Sequence, residues 1–250
     1  IRDSSTSRGL GDVYKRQAYN WFPPYSYNLA LFVFISGYFY KTDYEENVGK
    51  YIWKRTKRLL IPAYLWNIFY GCMVAFLGLF GFTIGAKPDL YNLFVMPFVD
   101  GEAFQYNLGS WFVYPLFLVC IINVLFRKFL KLIHLDNEFI VLIVYLAIGM
   151  IGINTALENP TAINGIVKLL VRTMFFLPCY EFGRFYKAVL EKKDNLNNVA
   201  YFAIIFAVQL ILLTFCKDLE YTPSSFTKFN NGFIIPYISS ITAIAFWLRV

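Results

Sequence analysis

The uncharged apolar run Leu59–Phe80, 22 residues long, constrains this chain more than any other feature of its sequence. A helix of about 20 mostly apolar residues crosses the hydrocarbon core of a bilayer. Seven such runs follow one another along the chain: Tyr25–Tyr40, Leu59–Phe80, Asn107–Phe126, Phe139–Leu157, Leu169–Phe185, Val199–Cys216 and Phe229–Leu248. The sequence therefore predicts an all-α, polytopic transmembrane helix bundle with about seven spans.

The composition excludes most soluble folds. Hydrophobic residues make up 58% of the chain and charged residues 16%, whereas a soluble domain carries about a quarter charged residues. The net charge of +7 therefore indicates basic membrane-flanking loops and no nucleic-acid partner. The run 90–99 is too short to span a bilayer and contains Pro97, so we predict an interfacial or re-entrant piece there.

Basic residues alternate between the loops without exception. The segments 41–58, 127–138 and 184–198 hold 13 Lys and Arg residues, whereas the other three loops hold 4. By the positive-inside rule we expect these three basic segments on the cytoplasmic side. Arg127 is counted here as a loop residue, just after the predicted third span.

Several conspicuous residues are expected to have ordinary structural roles. Pro62 is predicted in the first turn of the second span, where its missing N–H costs nothing. His134, the chain's only histidine, is expected in a solvated loop. No CxxC or Cys/His metal spacing occurs, so we predict no metal site. Four cysteines are expected to be reduced, buried and inert: Cys72, Cys120, Cys179 and Cys216.

Two charged residues fall well inside the fifth predicted span, where charges are costly and are candidate functional groups. Arg172 and Glu181 are nine residues apart, so they lie on opposite faces of one helix and cannot pair with each other. Each needs a partner on another helix, a watery cavity, or an escape to the interface. The plainer alternatives are an ion pair of Glu181 with Arg184 and an outward extension of Arg172.

Arg55 and Arg58 stand three residues apart, just before the second span. On an α-helix they would share a face, with Lys54 beside them, and two such guanidinium groups can grip phosphates through forked hydrogen bonds. The alternative is an orienting charge cluster that touches anionic headgroups. Ser36 and Gly37, within the first span, are small enough to permit close helix packing.

Four stretches, taken in order, resemble the integral-membrane acyltransferase-3 family. They are LFVFISGYFYK at 31–41, WKRTKRLLIPAYLW at 53–66, GSWFVYPLF at 109–117 and FFLPCYEFGRFYK at 175–187. Each stretch is a weak signal alone, but their order, spacing and agreement with the loop charges make the set specific. The resemblance covers residues 18–250.

The resemblance implies a membrane-bound O-acyltransferase of the bacterial inner membrane. Such enzymes move an acyl group, often acetyl from acetyl-CoA, to a hydroxyl of a cell-surface carbohydrate or lipid-linked sugar. Membrane lipids and that acceptor are the implied partners. By resemblance, Arg55 and Arg58 would hold the phosphates of the donor or the charge on the reacting carbonyl. Ser36, Gly37 and Trp111 would shape the cavity, with Arg172 and Glu181 as further cavity candidates.

One departure from the family pattern concerns the general base. The family's catalytic histidine belongs to a helix ahead of the first of these stretches, and no such helix stands there. Residues 1–17 instead resemble a translated sequencing-adapter scar, which leaves 18–250 as a partial acyltransferase domain. Val250 falls inside an apolar run. We therefore expect a chain cut at both ends from a larger set of spans, and inactive without its base.

Two other classes of function stay open on the sequence alone. A transporter or a lipid-linked-sugar flippase would show the same hydropathy and charge alternation, although it would not explain the four ordered stretches. A glycan polymerase would need large extracytoplasmic loops, and the longest loop on that side has about 26 residues.

Overall fold

The structure, a computed structural model, describes residues 21–82, 85, 87–160, 163–216, 219, 221 and 231–250. Within these residues the regular secondary structure is entirely helical. Its main helices are α1 (Pro24–Tyr38), α2 (Val48–Leu79), α3 (91–99), α4 (Leu108–Leu132), α5 (Glu138–Glu158), α6 (Gly165–Phe185), α7 (Asn198–Phe215) and α8 (Ile235–Arg249).

Each of the seven predicted spans overlaps a helix of 15 residues or more, which confirms the all-α, polytopic fold class. Within the part of the chain that the structure describes, four helices, α2, α4, α5 and α7, are long and apolar enough to cross a membrane. By the same measure α1 and α8 fall short with 15 residues each, and α6 falls short because it carries four charged residues. The predicted start of the last span, 229–230, and the segment 1–17 lie outside the described residues.

Pro62 lies in the interior of α2, so the prediction that places it in the first turn is wrong. The helix begins 14 residues upstream of it, and a π-type turn over Thr56–Leu60 joins the two α-helical parts. In this turn the N–H of Ile61 bonds to the carbonyl oxygen five residues back. A proline inside a helix cannot donate to the carbonyl four residues back, that of Arg58, and its ring crowds that carbonyl. The wider turn accommodates this crowding.

The run 90–99 forms a short helix, as expected of a piece too short to span. Leu93 and Pro97 are buried. Two side chains of α2 fix it: the Asn67 amide donates to the carbonyl of Leu93 at 2.8 Å, and the Tyr64 hydroxyl donates to that of Phe94 at 3.3 Å. These bonds satisfy carbonyls that an irregular short helix leaves open.

The chain divides into two compact units, with the boundary inside α1. The smaller unit contains the start of α1 together with α7 and α8. There Phe22 stacks on Phe246 at 4.7 Å between ring centroids, and the Ser240 hydroxyl donates to the carbonyl of Ser26 at 2.7 Å. The larger unit covers Phe32–Lys193 and contains the end of α1 and α2 to α6. Every candidate site residue lies in this larger unit.

The larger unit is organised around α4 and α6. Helix α5 packs along α6, and α4 lies between α6 and the middle of α2. The buried residues Leu60, Tyr114, Phe117 and Leu169 form the apolar cluster where these helices meet. Burial of such side chains supplies the packing that excludes lipid and water from the helix contacts.

Helix α1 crosses α6 at two glycines. A Cβ atom on Gly37 would overlap the carbonyl group of Tyr180, and one on Gly183 would overlap the carbonyl group of Phe34. Only glycine permits the two backbones to approach so closely. Gly37 therefore has the packing role that its small size suggests.

Candidate functional site

Side chains from all three basic segments meet at one end of the larger unit. The Arg184 guanidinium lies 3.5 Å from the Glu45 carboxylate and 2.9 Å from that of Glu138, and Arg127 lies 3.1 Å from Asp136. We call the group they form the charge network: Glu45, Arg127, Asp136, Glu138, Glu181 and Arg184. The three segments therefore lie on one side of this unit, and their cytoplasmic placement stays a prediction.

Arg127 is the centre of the charge network. Its side chain is completely buried, and one terminal nitrogen donates to Asp136 at 3.1 Å. The other terminal nitrogen donates to both Glu138 and Glu181. A buried guanidinium is stable only when carboxylates or other acceptors surround it in this way. Arg127 thus ties the end of α4 to the start of α5 and to α6.

The expectation that Arg127 belongs to a loop is wrong, because α4 continues to Leu132, past the predicted end of the third span at Phe126. The sequence does carry a signal for this. Asn123, Arg127 and Leu130 are all buried and recur at i, i+4 and i+7, the spacing of one helix face.

Glu181 finds its partner on another helix, which is one of the three options open to a charge inside the fifth span. It is fully buried and pairs with Arg127. Arg184 pairs instead with Glu138, at 2.9 Å to the nearer oxygen, and with Glu45. The alternative in which Glu181 forms its ion pair with Arg184 on the same helix is therefore not the one adopted.

Four tyrosines, Tyr40, Tyr44, Tyr51 and Tyr180, adjoin the charge network and are called here the tyrosine cluster. Tyr44 stacks on Tyr51 at 4.6 Å, and the Tyr40 ring meets Tyr51 at 6.0 Å and Tyr180 at 6.3 Å. The Tyr40 hydroxyl, just past the end of α1, donates to Glu45 at 3.3 Å.

Three cations lie over faces of the tyrosine cluster, an arrangement worth about 0.5–2 kcal/mol each. Arg184 lies 4.9 Å from the centre of the Tyr40 ring, and Lys54 lies 5.2 Å from that of Tyr44. Arg55, the third, lies 5.1 Å from the ring centre of Tyr51. The tyrosine cluster thus lies between the charge network and the basic residues Lys54 and Arg55 of α2.

Arg55 is half-buried at the edge of the tyrosine cluster. Its Nε donates to the Tyr51 hydroxyl at 3.0 Å, and that hydroxyl lies 3.5 Å from the hydroxyl of Tyr180. In the described part of the chain, no carboxylate pairs with Arg55. The hydrogen bond described for Arg55 is thus the one from Nε to Tyr51.

Arg58 differs from Arg55 in its surroundings, because it is exposed. The expectation of a shared face assumed α-helical geometry, but Thr56–Leu60 forms a π-type turn. In such a wider turn each residue advances by a smaller rotation than in an α-helix. Arg55 and Arg58, three residues apart, therefore point in more different directions than on an α-helix. Such turns inside helices are frequent at functional sites.

Arg172 lies near the other end of the larger unit and does not extend outward. Its side chain is buried, donates to the carbonyl of Gly101 and lies 4.7 Å from the ring centre of Trp111. Phe176 stacks on the same ring at 6.4 Å. Arg172 precedes Tyr180 by eight residues, about 12 Å along α6. The structure therefore places Arg172 and Trp111 together, and apart from Arg55.

A comparison with known protein families decides the class of this protein. The model of the acyltransferase-3 family, described as an acyltransferase domain, matches residues 8–250. The chain belongs to the acyltransferase-3 family. No curated protein and no solved structure matches it. In general terms it is therefore a membrane acyltransferase. The family match begins within 1–17, whose interpretation as an adapter scar stays a prediction.

The cavity residues implied by the acyltransferase-3 resemblance do not all gather at one place. Gly37 packs on the backbone of Tyr180, inside the tyrosine cluster. The Ser36 hydroxyl donates to the carbonyl of Phe32 at 3.0 Å, the common back-bond of a helical serine. Trp111 is the partner of Arg172. Their roles in shaping an acyltransferase cavity stay predictions.

The expectation of four buried thiols is correct for two of them. Cys120 and Cys179 are buried, whereas Cys72 is exposed and Cys216 is half-buried. All four are free. An apolar side chain on the outer face of a spanning helix meets lipid instead of protein, which is why hydrophobicity alone does not predict burial.

His134 is exposed at the end of α4 with φ 56°, which confirms its loop position.

Proposed function

We propose that this acyltransferase moves an acyl group, acetyl from acetyl-CoA, to a hydroxyl of a cell-surface carbohydrate or lipid-linked sugar in the bacterial inner membrane. Arg55 binds the donor in this proposal. The observation that carries it is a half-buried guanidinium fixed at Nε by the Tyr51 hydroxyl at 3.0 Å, with both terminal amino groups unclaimed by any described carboxylate.

The geometry of Arg55 suits a phosphate or a developing oxyanion. A guanidinium binds phosphate through two parallel N–H donors, and one held in a fixed orientation loses little freedom when the ligand arrives. Lys54, Lys57 and Arg58 are exposed on the same stretch of α2 and add positive potential around it. Coenzyme A carries several phosphate groups, so this stretch complements its charge.

The proton acceptor for the hydroxyl is left unassigned. General-base catalysis requires a group within hydrogen-bonding reach of the acceptor, and His134, the chain's only histidine, is exposed in the turn after α4. The expectation that these 250 residues do not complete the transfer stays a prediction. Donor binding, and not turnover, is therefore the first test.

The experiment measures coenzyme A binding by titration calorimetry on the full chain in nanodiscs of zwitterionic lipid. We expect Arg55→Ala to weaken binding by about tenfold or more, the loss typical of a bidentate charged contact. Lys128→Ala is the matched control, since it removes one equally charged, exposed residue from another basic segment. Equal affinities for Arg55→Ala and the unaltered chain would overturn the donor-site assignment.

Two further arms separate the competing functions. If Arg55 binds lipid headgroups, nanodiscs containing an anionic lipid will abolish coenzyme A binding at equal ionic strength, and this would count against the proposal. If the protein is a transporter or flippase, liposomes will show movement of a lipid-linked sugar without any consumption of acetyl-CoA. Consumption of acetyl-CoA only when a sugar acceptor is present supports the acyltransferase.

A further inference from the structure

Tyr51 occupies an unusual position, because its hydroxyl meets Arg55 on one side and Tyr180 on the other. Arg55 Nε donates to it at 3.0 Å, and the Tyr180 hydroxyl lies 3.5 Å away. The guanidinium also lies 5.1 Å from the centre of the Tyr51 ring. Tyr51 and Arg55 are one helical turn apart on α2, so both contacts follow from the local helix.

The Tyr51 side chain is itself fixed. It is 2% exposed, stacks on Tyr44 at 4.6 Å and meets the edge of Tyr40 at 6.0 Å. Tightly packed aromatic rings of this kind do not change rotamer freely. The hydroxyl that accepts from Arg55 is thus held at a set point in the larger unit.

Tyr180 provides the next support. It is completely buried on α6, and its backbone carbonyl is the atom against which Gly37 of α1 packs. The close packing of α1 on α6 therefore fixes the position of Tyr180. The contact between the hydroxyls of Tyr180 and Tyr51 in turn helps to fix Tyr51. Hydrogen-bonded side-chain chains in a low-dielectric interior are well ordered when every member has a partner.

We infer that Tyr51, supported by Tyr180, is a positioning residue that orients the Arg55 guanidinium so that its two terminal amino groups face the donor. This inference rests on the proposed donor site. An arginine has several rotatable bonds, and fixing Nε removes most of the freedom that anion binding would otherwise have to remove. Tyr51 touches no donor atom and acts through Arg55.

The test is a double-mutant cycle on coenzyme A affinity, in the same nanodiscs. Tyr51→Phe keeps the ring and removes only the hydroxyl, and we expect it to weaken binding about fivefold with an unchanged melting temperature. In an Arg55→Ala background the same substitution should change affinity by less than about 1.5-fold. The matched control is Tyr44→Phe, which alters a neighbouring ring that does not bond to Arg55 and should leave affinity unchanged.

Tyr180→Phe is the second variant, for use if Tyr51→Phe unfolds, and should weaken binding about twofold. Equal losses from Tyr51→Phe in both Arg55 backgrounds would overturn the positioning role, because the hydroxyl would then act on the fold and not through Arg55. If Arg55→Ala weakens binding but Tyr51→Phe does not, the inference fails while the proposed donor site stands. If Arg55→Ala leaves binding unchanged, both fail.

Discussion

Arg127 and Arg55 both lie at the basic end of the larger unit, and their partners differ in kind. Arg127 is fully buried, and both of its terminal nitrogens are taken by carboxylates. Arg55 is half-buried, and its described hydrogen bond goes through Nε to a neutral hydroxyl. Carboxylates thus neutralise the charge of Arg127 inside the protein, whereas no described carboxylate neutralises the charge of Arg55. Residue type alone does not distinguish a structural arginine from a ligand-binding one.

The two arginines are nevertheless connected through consecutive residues of α6. Tyr180 contacts the Tyr51 hydroxyl next to Arg55, and Glu181 pairs with Arg127. Successive residues of a helix point about 100° apart, so one turn of α6 serves both sites. A change in the placement of this turn should affect both, while a change in one arginine should affect only its own site.

The largest expected effect comes from removing the charge of Arg127. Arg127→Met leaves Glu181 as an unpaired buried carboxylate, and we expect a loss of about 3–5 kcal/mol in the free energy of unfolding. The measurement is equilibrium unfolding in mixed detergent micelles. Arg55→Met is the paired comparison and should cost less than about 1 kcal/mol.

The double variant Arg127→Met/Glu181→Gln controls for the origin of that loss. Because it removes the buried charge together with its partner, it should be more stable than Arg127→Met alone. If Arg55→Met destabilises the protein as much as Arg127→Met does, the distinction between a structural and a ligand-binding arginine is not valid here.

The next effect tests the shared turn of α6. Gly37→Ala places a methyl group against the Tyr180 carbonyl, and overpacking of this kind costs about 1–3 kcal/mol. We expect it to lower both unfolding free energy and coenzyme A affinity. Gly78→Ala in α2 is the matched control, since nothing lies within 4 Å of the added atom and alanine favours a helix. If Gly37→Ala binds coenzyme A with native affinity, the turn of α6 at Tyr180 and Glu181 does not connect the Arg55 site to the charge network.

The helices were predictable from the sequence because the bilayer imposes one simple requirement on each span. Apolar runs of about 20 residues must be helical where lipid offers no hydrogen bonds. The same logic left three options open for Arg172 and Glu181, and Glu181 adopts the first of them, a partner on another helix. The assignment of Arg127 to a loop failed because a count of basic residues does not distinguish an exposed loop arginine from a buried one that is paired with acidic residues.

The positions of Pro62 and Arg58 were not predictable for a different reason. A proline at position 62 is compatible with the first turn of a helix as well as with the π-type turn over Thr56–Leu60 that accommodates its ring, so the sequence does not decide between the two. The contact of Arg55 with Tyr51 follows from their i, i+4 spacing on α2 and could have been predicted from the sequence. The approach of Tyr180 was not, since it joins residues 129 positions apart.

A smaller effect distinguishes the shape of Arg55 from its charge. Arg55→Lys keeps the positive charge but cannot make two parallel hydrogen bonds, and it loses the Nε contact with Tyr51. We expect coenzyme A affinity to fall about three- to fivefold, less than in Arg55→Ala, with little change in unfolding free energy. Calorimetric titration gives the first quantity and micelle unfolding the second. Full affinity in Arg55→Lys would show that charge alone suffices and would weaken the comparison with Arg127.

The smallest effect concerns the edge of the charge network. Lys131 lies 3.9 Å from Glu45, but its side chain is 57% exposed. Glu45 also has Arg184 and the Tyr40 hydroxyl as partners. An exposed ion pair contributes about 0.2–1 kcal/mol and is screened by salt, so Lys131→Ala should fall at the lower end of that range, and the difference should vanish in high salt. Unfolding at two salt concentrations measures this. A salt-independent loss as large as that of Arg127→Met would mean that the network depends on its total charge and not on the burial of Arg127.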